Sequence, residues 1–157
     1  DHKFIQPLEE FIRRVEEEKI PLLGICFGHQ IIAQALGGKV EKFSGGWSVG
    51  LKEYKWGNER LHLNAWHQDQ VIKKPKKAKV LAENSFCKYA ALSYGDTILT
   101  TQPHPEFTNE VIKGLIKTRG KGRVPEHLLD EALNNIEKKT SLNEIVTKFS
   151  LVLNGDR

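Results

Sequence analysis

The chain has 157 residues, which is enough for one domain with a proper hydrophobic core. Its hydrophobic content of 39% and charged content of 28% are ordinary for a globular protein, and its net charge of +4 gives no reason to expect nucleic acid as a partner. The basic run at 73–79, KKPKKAK, contains a proline and no aromatic residue, so it predicts a solvated loop. No apolar run is long enough to span a membrane, and nothing at the start resembles a signal peptide, so we expect no membrane partner.

Cysteine usage and the start of the chain give two further expectations. Cys26 and Cys87 are too few for a disulfide framework, and free thiols fit a reducing, cytoplasmic location. The chain begins at Asp1 without an initiator methionine and continues at once into a helical pattern, so we expect it to be N-terminally incomplete. Without repeats or low-complexity segments, residues 1–157 are predicted to form a single domain.

The first elements alternate between helix and strand. Pro7–Lys19 carries apolar residues on one face and predicts an amphipathic helix. The apolar residues around Leu22 predict a buried strand, and His29–Leu36 has helical spacing that Gly37 and Gly38 end. A helix, a buried strand, a sharp turn and another helix predict an α/β protein whose mostly parallel sheet is covered on both faces.

The middle of the chain predicts strands, and its end predicts helices. Gly50 predicts a bulge in the second of the later strands, residues 66–71 (WHQDQV) predict a polar loop, and residues 108–157 predict a helical tail. Within this tail, Ser141 and Glu144 have the spacing of a capping box. The predicted strands are Lys39–Phe43, Trp47–Trp56, Arg60–Ala65, Lys79–Glu83, Tyr89–Ser93 and Thr97–Thr101, and the predicted helices of the tail are Glu110–Arg119 and those that begin at Pro125 and after Ser141.

Cys26 lies at the turn between the predicted buried strand and the helix after it. Gly24 and Gly28 flank it in the pattern G-x-C-x-G, which suits a strained elbow that exposes the sulfur. A helix N-terminus favours thiolate over thiol. Cys26 is therefore a candidate nucleophile, although a lone buried cysteine is often only a small apolar side chain.

A cysteine nucleophile needs a base, and the base needs a group that orients it. His104 follows a predicted strand, so it is expected at the same sheet edge as Cys26. Prolines on both sides restrict its backbone, and Glu106 lies on the same side of the extended segment. The other histidines are weaker candidates: His2 and His127 are on surface-like stretches, His62 alternates within a strand, His29 is expected to line the pocket, and His67 shares a loop with Asp69.

GICFGHQ at 24–30 and QPHPE at 102–106 together resemble the class I glutamine amidotransferases, the Cys-His-Glu triad type. The resemblance covers roughly residues 20–107, and the wording is most similar to stand-alone members related to the glutaminase part of GMP synthase. It implies a three-layer, flavodoxin-like fold with antiparallel additions to the sheet. The N-terminal strands of that fold have no match here, nor does the loop that carries a second oxyanion donor.

The resemblance also implies a reaction and its residues. Cys26 would attack the side-chain amide of glutamine to form a γ-glutamyl thioester, His104 would move the proton, and Glu106 would orient His104. The N–H of Phe27 would bind the oxyanion. The residues expected to bind substrate are Gln30, His67 and Asp69. Ammonia would leave for a separate acceptor, such as a partner synthase chain; no cofactor is expected, and no cluster of residues has metal-ligand spacing.

Three alternatives remain open on the sequence. The same triad could serve a γ-glutamyl peptidase acting on glutathione-like conjugates, which differs only in the leaving group. A catalytically weak binding or regulatory module could retain the scaffold, which the unmatched oxyanion loop favours. A related deglycase-like protein is the third alternative, and the His-Pro-Glu run counts against it.

Overall fold

The computed structural model describes residues 2–155. Asp1, on which the expectation of an incomplete start rests, lies outside the described residues, as do the last two residues of the predicted domain. The helices and strands, in chain order, are α1 (Ile5–Glu17), β1 (Leu22–Ile25), α2 (Phe27–Ala35), β2 (Lys39–Lys42), β3 (Ser48–Trp56), β4 (Glu59–His67), β5 (Asp69–Lys73), β6 (Lys79–Glu83), β7 (Ala91–Tyr94), β8 (Ile98–Thr101), α3 (Asn109–Leu115), α4 (Glu126–Asn134) and α5 (Leu142–Leu153).

Six strands form one sheet in the order β1-β8-β7-β6-β3-β4, and β2 pairs with β5 in a separate ribbon. The predicted α/β class is confirmed. Within residues 2–155, however, β1 and β8 form the one parallel pair, because tight connections such as the turn at Gly95 and Asp96 join neighbouring strands as antiparallel hairpins. The parallel part of the sheet is therefore smaller than expected.

Helices cover both faces of the sheet, as predicted. On one face, Ile12 of α1 and Ile32 of α2 pack against Leu92 and Ile98 of the sheet. On the other face, Ile145 of α5 packs against a cluster that includes Leu99. Since side chains alternate along a strand, Ile98 and Leu99 point into opposite layers, so β8, next to the edge strand β1, contacts helices on both faces of the sheet.

Gly50 does not form the predicted bulge. The β3–β4 register runs unbroken through the Gly50–Ala65 pair. Gly50 is needed for two other reasons: its φ is +86°, and a Cβ there would lie 2.7 Å from the Cβ of Ala132 in α4. The glycine therefore allows α4 to pack directly on the β3–β4 hairpin.

Of three local predictions in the middle and end of the chain, two are wrong and one holds with a difference in helix type. Residues 66–71 do not form a polar loop, because β4 continues to His67 and β5 begins at Asp69, where it pairs with β2. The helix predicted over Glu110–Arg119 is present, as α3 continued by a π-helical turn over Ile116–Gly120. Ser141 precedes α5 but its hydroxyl accepts from the main-chain N–H of His62 (2.8 Å) instead of capping the helix.

Candidate active site

Cys26 forms the sharp turn between β1 and α2. Its φ of 52° and ψ of −103° are unusual for a residue with a side chain, and such strain persists only where the surroundings fix it. The Cys26 N–H donates to the carbonyl of Thr101 at the end of β8 (2.9 Å), and its carbonyl accepts from Gln30 (3.0 Å). The predicted elbow is therefore present, fixed to the neighbouring parallel strand.

The two flanking glycines, Gly24 and Gly28, differ in how closely the surrounding atoms pack against them. A Cβ on Gly24 would lie 2.7 Å from Ile32 Cδ1 and 2.9 Å from the carbonyl group of Gly28, so β1 and α2 could not approach each other as closely. A Cβ on Gly28 would meet nothing within 4 Å. Only Gly24 is thus required by the packing at the elbow.

Phe27 is the first residue of α2, and the first N–H groups of an α-helix have no partner within the helix. Its amide is therefore available beside Cys26, where the partial positive charge of the helix terminus also lies. The Phe27 ring is about half exposed and packs edge-on against Phe4. The main chain of Phe27, and not its side chain, is suited to binding a negatively charged oxygen.

His104 and Glu106 lie in the segment after β8. His104 Nδ1 donates to Glu106 Oε1 at 2.6 Å, which leaves Nε2 as the ring nitrogen for Cys26. Burial disfavours the charged imidazole, but hydrogen bonds and charge attraction from Cys26 and Glu106 outweigh burial and raise the pKa of His104 to about 9. The structure thus brings the three predicted triad residues together, with the His104 imidazole between Cys26 and Glu106.

Asn64 of β4 holds both ends of the His104 segment. Its carbonyl accepts from the His104 N–H (2.8 Å), and its buried side-chain amide donates to the Phe107 carbonyl (2.9 Å). The Phe107 ring lies parallel to the imidazole, with the ring centroids 3.8 Å apart. Asn64 and Phe107 together fix the position and the plane of the His104 ring.

Replacing Asn64 with alanine is expected to loosen this segment. It leaves the partly buried Phe107 carbonyl without its side-chain donor, a loss that costs about 1–3 kcal/mol. Urea unfolding should show a loss of this size, and the hydrogen exchange of the His104 amide should become faster. Asn109→Ala is the matched control, since it removes only a longer contact with Asn64 (3.5 Å) and an exposed bond to Lys138; an equal loss in both variants would contradict this role.

An open cavity of about 420 Å³ lies against Cys26. Its charged side chains are Lys42 and Asp69, and Trp47 and Trp66 form an edge-to-face aromatic pair on its wall. The other residues that line it are Gln30, His67 and Gln68. The predicted substrate-binding residues Gln30, His67 and Asp69 thus all border the cavity that contains the nucleophile.

The main chain of Asp69 organises this cavity. Its main-chain carbonyl accepts from Gln30 Nε2 (2.9 Å) and from His67 Nδ1 (3.2 Å). The exposed side-chain carboxylate of Asp69 takes part in neither bond. His67 itself is 4% exposed. Burial lowers the pKa of His67 to about 4; the hydrogen bond to the Asp69 main chain opposes this shift, and the charge of His104 adds a smaller lowering. His67 is therefore a neutral wall residue at neutral pH.

The prediction that His29 lines the pocket is wrong. Its side chain is completely buried beneath the elbow, where Nδ1 lies 2.8 Å from Thr100 Oγ1. Burial lowers the pKa of His29 to about 3, and the Tyr89 main chain offsets this only in part. His29 points towards β8, because it lies one residue, about 100° around the helix axis, from Gln30, which faces the cavity.

Sequence reasoning missed several residues of the site. Gln102 was visible in QPHPE, directly before the first proline, as a polar residue at a strand end. Asn64 carried a weaker signal, a lone amide within an apolar strand pattern, and no local signal connects Lys42 or Trp47 to Cys26.

In the part of the chain that the structure describes, no group of three or more His, Cys, Asp or Glu residues could hold a metal ion. Nor does any helix between residues 2 and 155 have the length and apolar character needed to cross a membrane.

Comparison with known sequences gives curated relatives of two kinds. The chain is 30% identical to gamma-glutamyl peptidase 4 of Arabidopsis thaliana over 95% of this chain and 64% of that protein. It is 34% identical to a glutamine-hydrolyzing GMP synthase subunit of Methanocaldococcus jannaschii over 65% of this chain and 62% of that one. The chain therefore spans about three fifths of the length of these relatives.

Solved structures and a family model agree with these matches. A glutamine amidotransferase from Methylobacillus flagellatus superposes with a TM-score of 0.81 at 18% identity, over 99% of this chain and 70% of that one. Another, from Thermotoga maritima, superposes with a TM-score of 0.75 at 20% identity, over 97% and 70%. At such identities the likeness concerns the fold alone. The model of the family "Glutamine amidotransferase class-I" matches residues 2–117, most of the chain. The chain therefore belongs to the class I glutamine amidotransferase family.

Proposed function

We propose that this chain hydrolyses the side-chain amide of glutamine to glutamate and ammonia through a thioester on Cys26. The observation that carries the proposal is the arrangement of the triad, in which Cys26 at the strained elbow interacts with His104 and Glu106 holds the other ring nitrogen of His104. A nucleophile, a base and an orienting carboxylate in this order are the requirements of covalent acyl transfer.

The geometry supports the following sequence of steps. The Cys26 thiolate attacks the amide carbon, and the Phe27 N–H donates to the resulting oxyanion. Protonated His104 gives its proton to the departing nitrogen, so that ammonia leaves and a γ-glutamyl thioester forms. A water then loses a proton to His104 and attacks the thioester, and glutamate departs as the sulfur becomes a thiolate again.

The cavity fits the remaining part of the substrate. Lys42 and Asp69 carry opposite charges on its wall, and glutamine presents an α-carboxylate and an α-ammonium group. Two further residues complete the binding surface: His67 and Gln30, both held by the Asp69 carbonyl.

The ammonia would pass to a separate acceptor, such as a partner synthase chain, and the relative named as a GMP synthase subunit supports this proposal. The free thiols of Cys26 and Cys87 suit a reducing, cytoplasmic location.

The second candidate is hydrolysis of a γ-glutamyl peptide by the same triad. It is favoured by the size and openness of the cavity, since about 420 Å³ suits a ligand larger than one amino acid. The Trp47–Trp66 wall offers apolar contact to a leaving group beyond the scissile bond. The relative named as a gamma-glutamyl peptidase supports the same candidate.

Steady-state assays on the 157-residue chain separate these possibilities. We expect ammonia release from L-glutamine, measured by a coupled dehydrogenase, with no release from D-glutamine as the stereochemical control. Faster release of amine from a γ-glutamyl dipeptide than of ammonia from glutamine would favour the second candidate. If neither L-substrate is hydrolysed, the catalytic proposal fails and the regulatory alternative is the one supported.

A further inference from the structure

We infer that the buried side chain of Gln102 stabilises the Cys26 thiolate and at the same time fixes Gln30, so that one amide connects the nucleophile to the substrate cavity. The inference rests on the proposed function, because it assigns a role within the same site. None of the catalytic steps proposed above uses Gln102.

Gln102 is placed for this role by the end of β8. It follows the strand directly, is 0% exposed, and its N–H donates to the Ala90 carbonyl at 2.7 Å. Its side chain lies between two others: Nε2 donates to Cys26 Sγ at 3.6 Å, and Oε1 accepts from Gln30 Nε2 at 3.1 Å. A polar group buried so completely is held in one orientation by its partners.

The orientation of the amide follows from what each partner can do. The Asp69 carbonyl can only accept, so the group of Gln30 that lies 2.9 Å from it must be the NH₂. That same NH₂ faces Gln102, so the group of Gln102 that it meets must be the oxygen. The NH₂ of Gln102 therefore faces the sulfur of Cys26.

An N–H group directed at sulfur discriminates between the two forms of cysteine. A neutral thiol is a weak acceptor, whereas a thiolate accepts a charge-assisted hydrogen bond. The bond to Gln102 thus favours the nucleophilic form and also fixes the position of the sulfur. Since Gln30 is held by the same amide, displacement of Gln102 disturbs the nucleophile and the cavity wall together.

Other charged and titratable groups surround the sulfur and must be kept constant in any test. His104, with Glu106 behind it, is the charged partner of Cys26. His67 borders the same cavity as a buried histidine, and Lys42 and Asp69 also line that cavity. None of these residues is altered in a Gln102 variant, and Gln102→Leu adds no charge, so a change in its thiolate reactivity can be assigned to the amide.

The test measures thiolate reactivity without any substrate. The rate of alkylation of Cys26 by iodoacetamide is followed by mass spectrometry of the Cys26 peptide between about pH 5.5 and 9.5, a range that brackets the usual thiol pKa. In Gln102→Glu the acceptor for Gln30 is kept, but an oxygen replaces the NH₂ that faces the sulfur; in Gln102→Leu both groups are lost. We expect alkylation near pH 6 to slow by about tenfold or more in both variants, the size of effect of one hydrogen bond to a charged group.

The pH profile distinguishes thiolate stabilisation from loss of structure. The variants should approach the wild-type rate at alkaline pH, where an unassisted thiol ionises, and thermal unfolding should show that they are folded. Gln6→Glu, an exposed glutamine of α1, is the control and should follow the wild-type profile. If Gln102→Leu does not fold, Gln102→Asn, which withdraws the amide from the sulfur, replaces it in the comparison.

Wild-type alkylation rates across the pH range in folded Gln102→Glu would overturn the inference. A uniform slowing at every pH would overturn it as well, since it would indicate altered access and not altered ionisation. If the wild-type chain hydrolyses neither glutamine nor a γ-glutamyl peptide while the alkylation rates change as expected, the proposed function fails and the assignment of Gln102 to the thiolate is supported.

Discussion

Replacing Cys26 with alanine is expected to reduce turnover of glutamine or a γ-glutamyl peptide by about 10⁴-fold or more, because loss of a nucleophile removes the covalent route altogether. Labelling by an electrophilic glutamine analogue should vanish in the same variant. Both results are measured on one preparation, by ammonia or amine release and by mass spectrometry of the labelled chain.

Cys87 provides the matched control. It is 2% exposed, and burial raises its pKa to about 12 although the Tyr89 main chain opposes the shift, so it is a neutral thiol inside the core. Cys87→Ala should therefore retain labelling and turnover once its lower stability is taken into account. Label found on Cys87, or persisting in Cys26→Ala, would refute the assignment of the nucleophile.

The other triad residues should give graded losses. His104→Ala removes the proton carrier and is expected to be nearly as damaging as Cys26→Ala. Glu106→Gln keeps an acceptor for Nδ1 but loses the charge of a carboxylate that is about half exposed, so the loss should be smaller. Because that charge helps to raise the pKa of His104, the variant should also lower this pKa from about 9, which NMR of the imidazole measures.

Acid is expected to destabilise the protein steeply below about pH 6.5 because two histidines are buried in the neutral form. The pKa values of His29 and His67 are lowered by burial to about 3 and about 4. In the unfolded chain both would bind protons near about pH 6.5. The stability that depends on their neutral form is therefore complete above that pH and is lost as the pH falls towards the two folded-state pKa values. For His29 alone the loss at about pH 4.5 is roughly 3 kcal/mol.

His29→Asn tests this prediction. Asparagine can still donate to Thr100 Oγ1 from nearly the position of Nδ1 but does not titrate. The variant should be less stable than the wild type at neutral pH, because the smaller side chain leaves a cavity, yet its free energy of unfolding should change less between neutral pH and about pH 4.5. Urea unfolding at the two pH values gives both quantities.

The control is His127→Asn, since His127 is exposed on α4. Its free energy of unfolding should have the same pH dependence as the wild type. An identical loss over this pH range in wild type and His29→Asn would show that another group takes up the protons.

Sequence reasoning predicted the elements whose signal lies within a few residues. The strand before Cys26 and the helix after it were recognised from their apolar spacing, although α2 begins at Phe27, two residues earlier than predicted. The strand Lys79–Glu83 was predicted at its observed bounds. The loop predicted over residues 66–71 was wrong because their polar character is typical of a loop. In the structure, pairing with β2, which follows α2 in the chain, stabilises β5 as a strand.

The sequence by itself determined the elbow at Cys26, because G-x-C-x-G between a strand and a helix fixes the local backbone, and it determined that His104 and Glu106 can meet, because they are two residues apart. Only the tertiary structure decided that Gln102 reaches the sulfur of a residue 76 positions away and that His29 is buried. These contacts depend on the register of β1 against β8, and register results from the packing of the whole sheet between its helices. Local patterns encode a backbone conformation, but the partners of a polar side chain are set by elements distant in the chain.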